Sequence, residues 1–378
     1  MIVQGPLALS DLLGDLVVWR RLEPVDDRLP RRAEIAVRLG LPVGLIPRKT
    51  EPEYAQVVAE IIEAAARMDG AKRRLRRLIV LGDTLHNDVA AFQNLCEVTG
   101  WRGLAFIVAE KPDAPDTFDK VAPNVYLASR WARLAEVAEV LGHAGFPIDE
   151  ETGVVLDLDK TAIGARGRND HVIDAARIEA VRRTVSSLLG AAYDDRTFLA
   201  AYNVLNQPEF HVFTADNQDY LAYVCLAIAA GLHTLEGVTE AVRAGTLSSF
   251  ESFIEDVNVR EHEWRSSPLA AVHVAVYESF RSGDPTPFKA FRHNEFHTTV
   301  ERMGCLGEAP SVEDALAREI VLTYEVAQLA LHWRDCGATI VGISDKPDEA
   351  SLPDPDDVAA GYLPLHRTPT HCVGESIL

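Results

Sequence analysis

The chain has 378 residues, of which 37 are Lys or Arg and 57 are Asp or Glu, so its formal net charge is −20. This length excludes a single small domain and predicts two domains, or one core with a large insertion. The acidic balance disfavours nucleic acid and anionic membrane surfaces as partners.

The cysteines and the apolar segments indicate where the protein resides. The five cysteines lie far apart without a Cys-x-x-Cys pair, which disfavours a disulfide framework and a zinc ribbon. The N-terminal residues lack the basic stretch and the apolar run of a secretory signal. The most apolar window, 221–232, is about half of the ~20 residues that span a bilayer. We therefore expect a soluble, cytoplasmic protein.

Short apolar runs and helical patterns alternate along much of the chain. The runs that predict buried strands lie, in chain order, at 78–83, 104–109, 153–157 and 338–344. Helical patterns lie at 53–67, 87–97 and 130–141. Strands that alternate with helices predict a parallel sheet covered on both faces, and therefore the α/β class.

A different pattern occupies residues 169–334, where long amphipathic stretches follow one another without a convincing buried strand. We expect an all-helical domain inserted between the strand that ends at Asp157 and the strand that ends at Ser344. The predicted domains are 1–164 for the first part of the core, 165–330 for the helical insertion and 331–378 for the return to the core. The proline-rich tail is expected to be irregular.

Two carboxylates follow one of the buried strands. Asp157 and Asp159 stand where the run 153–157 passes into a loop. In open α/β sheets, ligands bind at the carboxyl ends of the strands. Two neighbouring carboxylates repel each other unless they share a cation or a proton, and Mg²⁺ prefers such oxygen ligands. The pair therefore indicates a Mg²⁺ site, with a solvated acidic turn as the alternative.

A second strand also ends in carboxylates. The run 78–83 ends at Asp83, and Asp88 follows at the start of a helical pattern. If both strands belong to one parallel sheet, their carboxyl ends meet at the same edge and bring four carboxylates towards one metal. The sequence leaves open whether Asp88 or its neighbour Asn87 supports the metal.

A third strand ends in a hydroxyl group. Ser344 closes the run 338–344, and Lys346 follows two residues later. A Ser between a strand and a new helix can donate a hydrogen bond to an anion, with help from the N–H groups of the helix start. A Ser that only caps the helix is the alternative interpretation.

Together these motifs resemble those of the haloacid dehalogenase superfamily of phosphatases. The segment Asp157-Leu-Asp-Lys-Thr161 is similar to the first motif of that family, Asp-x-Asp-x-Thr. The resemblance implies that Asp157 is the nucleophile, which forms an aspartyl-phosphate, and that Asp159 is the general acid and base. It also implies that both acids take part in Mg²⁺ binding and that Thr161 contacts the substrate.

The other motifs of the family have counterparts in this chain. Ser344 resembles the hydroxyl of the second motif, which donates a hydrogen bond to the phosphoryl group. The segment 82–88 resembles the fourth motif, in which Asp83 and Asp88 would hold Mg²⁺. Lys49, in the segment 48–54 that leads into a helix, resembles the lysine of the third motif. Lys346 is the alternative lysine and is expected to bind the phosphate in that case.

The order of the motifs differs from the family pattern. The usual order is first, second, third and fourth, whereas here the third and fourth precede the first and second. The resemblance therefore implies a circularly permuted chain, in which the segment 141–152 joins the original ends. The expected fold is a Rossmann-like parallel sheet with an inserted all-α cap.

The predicted helical domain corresponds to the family's cap, which closes over the site and selects the substrate. Arg166 and Arg168 follow the first motif in a glycine-containing hinge, where either can bind a second anionic group of the substrate. A solvated basic loop is the alternative for these two residues. Within the cap, Arg292 lies in the segment 291–297, which is rich in polar recognition groups, and is expected to contact the substrate.

The resemblance implies a Mg²⁺-dependent hydrolase that removes phosphate from a small phosphorylated metabolite. Asp159 favours phosphoryl transfer over dehalogenation, because only phosphoryl transfer needs a second acid to protonate the leaving group. The alternative is a catalytically silent protein of the same fold that binds phosphorylated ligands. A third interpretation takes Asp157 and Asp159 as the metal-binding pair of a glycosyltransferase, and the other motifs count against it.

Overall fold

The computed structural model describes residues 1–68, 70, 74–111, 113–267 and 269–378. It divides into two compact units, Met1–Ala175 together with Thr299–Leu378, and Ala176–Thr298. The second unit is one continuous stretch of chain, and the stretches on both sides of it belong to the first unit. It is shorter at both ends than the predicted domain 165–330.

In the described part of the chain, the strands form two sheets, both within the first unit. Their bounds are β1 (Ile2–Leu7), β2 (Val17–Val18), β3 (Arg77–Gly82), β4 (Arg102–Val108), β5 (Phe118–Ala122), β6 (Val125–Ala128), β7 (Thr152–Asp157), β8 (Leu322–Thr323), β9 (Thr339–Ile343) and β10 (Thr370–Gly374).

Helices occur in both units. In chain order they are α1 (Leu9–Leu13), α2 (Arg32–Leu39), α3 (Pro52–Met68), α4 (Asn87–Thr99), α5 (Val137–His143), α6 (Asp170–Leu189), α7 (Asp195–Leu205), α8 (His211–Thr214), α9 (Gln218–Ala229), α10 (Leu235–Arg243), α11 (Phe250–Val259), α12 (Glu261–Trp264), α13 (Leu269–Arg281), α14 (Lys289–Val300), α15 (Val312–Arg318), α16 (Tyr324–Asp335) and α17 (Pro355–Ala360). A 3₁₀ turn, Trp131–Glu136, leads into α5.

The larger sheet has seven strands in the order β2, β9, β7, β3, β4, β6, β5. Its neighbouring strands are parallel except β5 and β6, which are antiparallel. The four strands predicted from apolar runs are present as β3, β4, β7 and β9. The predicted α/β class with a parallel sheet is therefore confirmed.

The centre of this sheet is apolar because both of its faces are covered. All six residues of β7 are buried, as are the last five of β3. On one face, α3 contributes Val58, Ile61 and Ile62 to a cluster with Val155 of β7 and Val341 of β9. These α3 residues recur at helical spacing, so the helix presents one apolar stripe to the sheet. Burial of this kind stabilises the sheet whose strands end in polar residues.

A second sheet of three strands corrects two predictions. Its order is β1, β10, β8, with β1 antiparallel to β10 and β10 parallel to β8. The sequence predicts an irregular tail, but Thr370–Gly374 forms a fully buried strand. Leu322–Thr323 is likewise a short strand within the stretch predicted to lack one. Both strands pair with segments that are remote in the chain, and the local pattern of apolar residues does not reveal such pairing.

The helical unit has its own aromatic core. Phe198, Phe213, Tyr223, Phe253 and Phe288 are buried together in one cluster. The most apolar window of the sequence falls on α9, in which residues 221–228 are all buried. In the part of the chain that the structure describes, no helix combines the length and the apolar character needed to cross a bilayer.

Candidate functional site

Three neighbouring strands of the larger sheet end together at the candidate site. β7 lies between β9 and β3, and Asp157, its last residue, pairs in register with Ile343 of β9. Leu156 pairs with Leu81 of β3. Asp83 and Ser344 are the residues that follow β3 and β9. The strands predicted to carry the site are therefore adjacent and parallel, and their polar residues share one carboxyl edge, where α/β proteins bind ligands.

Three carboxylates converge at this edge, and we call Asp83, Asp88 and Asp157 the acidic group. One oxygen from each lies within 4.8 Å of the other two, and all three residues are buried. Buried carboxylates at this separation repel one another strongly unless positive charge or a proton compensates them. The acidic group can therefore hold a cation through hard oxygen ligands.

The position of Asp88 depends on the turn between β3 and α4. Its Oδ2 accepts hydrogen bonds from the N–H of Asp83 (3.1 Å), the N–H of Thr84 (2.9 Å) and the hydroxyl of Thr84 (2.8 Å). A Cβ on Gly82 would lie 2.6 Å from Asp88 Cγ, so only glycine leaves room for this carboxylate. Asn87 is exposed, whereas Asp88 is buried in the acidic group.

Thr84 belongs to the site although it is not among the residues predicted from the sequence. Its hydroxyl donates to Asp88 and also accepts the N–H of Asp88 at 3.3 Å, so it ties the start of α4 to the strand end. Thr and Asp side chains readily bond to nearby backbone groups at turns and helix starts, so the presence of both between a strand and a helix is a signal that the sequence carries.

Lys49 joins two members of the acidic group. Its Nζ donates to Asp157 Oδ1 at 2.5 Å and to Asp88 Oδ1 at 2.9 Å. Burial disfavours the charged form of this lysine, but Asp157 and Asp88 raise the pKa of Lys49 well above its ordinary value. The side chain is therefore a fixed ammonium between two carboxylates.

The three acids respond differently to their surroundings. Burial raises the pKa of Asp157 well above its ordinary value, and the neighbouring acids add to this effect while Lys49 opposes it. Burial likewise raises the pKa of Asp83 to about 6 against the opposing charge of Arg166. Burial acts on Asp88 too, but Lys49 and Thr84 outweigh it and lower the pKa of Asp88. Additional positive charge beside the acidic group would favour the ionised forms of Asp157 and Asp83, whose pKa values are raised.

Ser344 and Lys346 lie buried beyond β9. The hydroxyl of Ser344 accepts the backbone N–H of Lys346 at 3.1 Å, and the N–H of Ser344 donates to the carbonyl of Val18 at 3.0 Å. Of the two lysines that the sequence leaves open, Lys49 is the one whose ammonium contacts Asp157.

The loop after β7 carries three predicted site residues. Asp159 is half-buried and does not belong to the acidic group, so the geometry lends no support to its carboxylate as a metal ligand. Thr161 is fully buried, and its hydroxyl has no hydrogen-bond partner among the described residues. Arg166 extends back over the acidic group, where its Nε donates to Asp83 Oδ2.

Two other predicted substrate-binding arginines form buried ion pairs. In the first unit, Arg168 bonds to Glu325 at 3.0 Å and to Glu110 at 3.2 Å. In the helical unit, Arg292 bonds to Asp219 and to Glu295, both at 2.5 Å. Each guanidinium group is therefore ion-paired to carboxylates of its own unit, which is the kind of contact that stabilises a fold. These contacts lend no support to the prediction that Arg168 and Arg292 bind substrate.

Comparisons with known proteins identify no relative of this chain. No protein-family model, no curated protein and no solved structure matches the chain. The chemistry of the site must therefore be argued from its own residues.

Proposed function

We propose that the protein is a Mg²⁺-dependent phosphomonoesterase that acts on a small phosphorylated metabolite through an aspartyl-phosphate on Asp157. One observation carries the proposal. The ammonium of Lys49 lies between the carboxylates of Asp157 and Asp88, at an edge where three parallel strands end in polar residues. A carboxylate nucleophile needs positive charge beside it, because its target is a dianion.

The residues at the strand ends fit a hard divalent cation. Asp83, Asp88 and Asp157 would hold it, because three carboxylate oxygens within 4.8 Å of one another make a suitable set of ligands for Mg²⁺. When bound, Mg²⁺ supplies the positive charge that favours ionised carboxyls and screens them from the phosphate.

The proposed reaction has two steps. In the first, an oxygen of Asp157 attacks phosphorus, the bond from phosphorus to the alcohol oxygen breaks, and Asp159 gives its proton to that oxygen. In the second, Asp159 takes a proton from water, which attacks phosphorus and releases inorganic phosphate and the Asp157 carboxylate. Lys49 and the hydroxyl of Ser344 bind phosphoryl oxygens throughout.

The resemblance to the haloacid dehalogenase superfamily supports this assignment and suggests a permuted chain. Lys49, Asp83, Asp157 and Ser344 occur in an order that starts at the third motif of that family. In this proposal the original ends are joined by the segment 141–152. The helical unit lies in the chain between the first and second motifs, the place of a cap, and selects the substrate.

The first experiment measures phosphate release from an aryl phosphate and from a panel of phosphorylated metabolites, with Mg²⁺ and with chelator. We expect release that requires Mg²⁺ and is abolished in Asp157→Asn. The matched control is Asp119→Asn, which makes the same change at an exposed position of β5. Full activity in Asp157→Asn would refute the assigned nucleophile. Ligand binding without release from any compound would identify a binding protein instead.

A second experiment isolates the covalent intermediate. With a ³²P-labelled aryl phosphate, whose leaving group needs no general acid, Asp159→Asn should accumulate labelled protein because water is no longer activated. Asp157→Asn should acquire no label. Labelled protein in both variants would place the phosphoryl group on another residue.

A further inference from the structure

Among the described residues, two cationic side chains contact the acidic group, and they bond to different carboxylates. Lys49 bonds to Asp88 and Asp157, and Arg166 bonds to Asp83. The two cations differ in burial, because the side chain of Lys49 is 8% exposed and that of Arg166 is 36% exposed. Arg166 therefore has water beside it, whereas Lys49 is enclosed.

The backbone of Arg166 is held firmly although its side chain is half-exposed. Its N–H donates to the carbonyl of Lys160 at 2.8 Å, and its carbonyl accepts the indole N–H of Trp131 at 3.1 Å. The next residue, Gly167, has a positive φ of 77°, and a Cβ there would overlap the carbonyl oxygen of Glu110. The backbone at this position is therefore held by hydrogen bonds and close packing, whereas the arginine side chain is partly open to solvent.

Arg166 and a bound divalent cation would both use the carboxylate of Asp83. Within the part of the chain that the structure describes, Lys49 and Arg166 are the cations bonded to the three carboxylates, which leaves one negative charge of the acidic group unpaired when all three are ionised. A divalent cation bound by Asp83 would lie within a few ångströms of the guanidinium, and two positive centres at that distance repel each other even where water reaches one of them. Two further acids, Asp170 and then Asp159, also interact electrostatically with Arg166, so its guanidinium has acidic neighbours besides Asp83.

We propose that Arg166 is a displaceable counter-ion, which pairs with Asp83 in the absence of metal and competes with the divalent cation for that carboxylate. The inference rests on the proposed metal site. Arg166 is a positioning residue in this account, because its ion pair holds the carboxylate of Asp83 in place until the cation arrives. It thereby lowers the affinity of the site for the cation.

The test is direct titration of metal-free protein with Mg²⁺, and with Mn²⁺, by calorimetry. We expect Arg166→Gln to bind Mg²⁺ at least about tenfold more tightly than wild type, since it removes one positive charge beside the ligands. Arg166→Lys should keep an affinity near that of wild type. The matched control is Arg133→Gln, because that arginine is 38% exposed, is also ion-paired and lies outside the acidic group.

Four other outcomes of these titrations would overturn the proposal. Equal or weaker Mg²⁺ binding by Arg166→Gln overturns the competition and leaves the metal site standing. A variant that loses stability without a change in Mg²⁺ affinity shows that the ion pair is only structural, which also overturns the proposal. Unchanged binding in Asp83→Asn shows that Asp83 is no ligand and overturns it as well. Absence of binding in wild type and in every variant overturns both the metal site and the counter-ion.

Discussion

The ammonium nitrogen of Lys49 lies 2.5 Å from Oδ1 of Asp157, although 108 residues separate the two in the chain. Both side chains are buried, so neither charge can be compensated by water. Removal of one member of such a pair leaves an isolated charge in a poorly solvated place. The contact therefore links the stability of the sheet edge to the chemistry proposed for it.

Lys49→Met should lower activity at least about a hundredfold, because the charge beside the nucleophile is lost. It should also lower the free energy of unfolding by about 3 kcal/mol, since two buried carboxylates lose their partner. Phosphate release and urea unfolding measure the two effects. Lys346→Met is the comparison, because the hydrogen bond from Lys346 to Ser344 uses a backbone N–H that methionine retains. A larger loss of activity in Lys346→Met would assign the phosphate to that lysine.

Gly82→Ala should displace Asp88, because the new methyl group would overlap its carboxylate. We expect destabilisation by about 1–3 kcal/mol and Mg²⁺ affinity lowered by about tenfold or more. Urea unfolding measures the loss of stability, and calorimetry with Mg²⁺ measures the change in affinity. Gly44→Ala is the control, because a Cβ there meets no atom within 4 Å. Unaltered affinity in Gly82→Ala would mean that Asp88 plays no part in metal binding.

Mg²⁺ should stabilise the protein against unfolding, because a cation relieves the repulsion within the acidic group. At a free concentration one hundred times its Kd, the gain in free energy of unfolding is about 2.7 kcal/mol. Urea unfolding in MgCl₂ and in NaCl of matched ionic strength separates specific binding from general screening. In Asp83→Asn, the free energy of unfolding should differ much less between MgCl₂ and NaCl than it does in wild type. An equal gain in both salts would contradict a site at this edge.

Asp348 offers a test of pH dependence away from the acidic group. Burial raises its pKa from 3.8 to about 6, a shift that the hydrogen bond from the N–H of Arg21 opposes and the charge of Glu349 reinforces. Between about pH 4 and 6 the folded protein therefore binds more protons here than the unfolded chain. This group's contribution to stability is present below that range and is lost as the pH rises through it.

Asp348→Asn removes this loss because the amide stays neutral and can still accept the N–H of Arg21. Its free energy of unfolding should match that of wild type near pH 4 and exceed it by about 1–2 kcal/mol at pH 7. Urea unfolding across that range measures the difference, with Asp119→Asn as the exposed control. A difference that is constant with pH would show that Asp348 keeps an ordinary pKa.

The sequence is sufficient to predict the central sheet but not the smaller one. Continuous apolar runs predict β3, β4, β7 and β9, because strands buried on both faces must be apolar throughout. β1 is largely exposed and contains Gly5 and Pro6, both of which weaken a strand pattern. β10 follows a proline-rich stretch, so the local signals for loops conceal its pairing with β1 and β8.

The sequence also predicts some residues of the candidate site but not the partners of others. Strand ends predict the convergence of Asp83 and Asp157, since parallel neighbours bring their carboxyl ends to one edge. The sequence cannot assign partners to the arginines, because a guanidinium reaches many positions and finds its carboxylate only in three dimensions. Arg166 and Arg168 are two residues apart, yet one contacts the acidic group and the other is enclosed by Glu110 and Glu325.

The arrangement of β7 and β9 has a consequence for biosynthesis. β9 lies between β2 and β7 in the sheet, but the ribosome makes it only after the entire helical unit. Until then the nascent sheet exposes an unpaired row of N–H and C=O groups on β7, flanked by apolar side chains, and such an edge invites pairing with other chains. We therefore expect the half-made protein to need a chaperone on the ribosome, and Ser344 to join the site last.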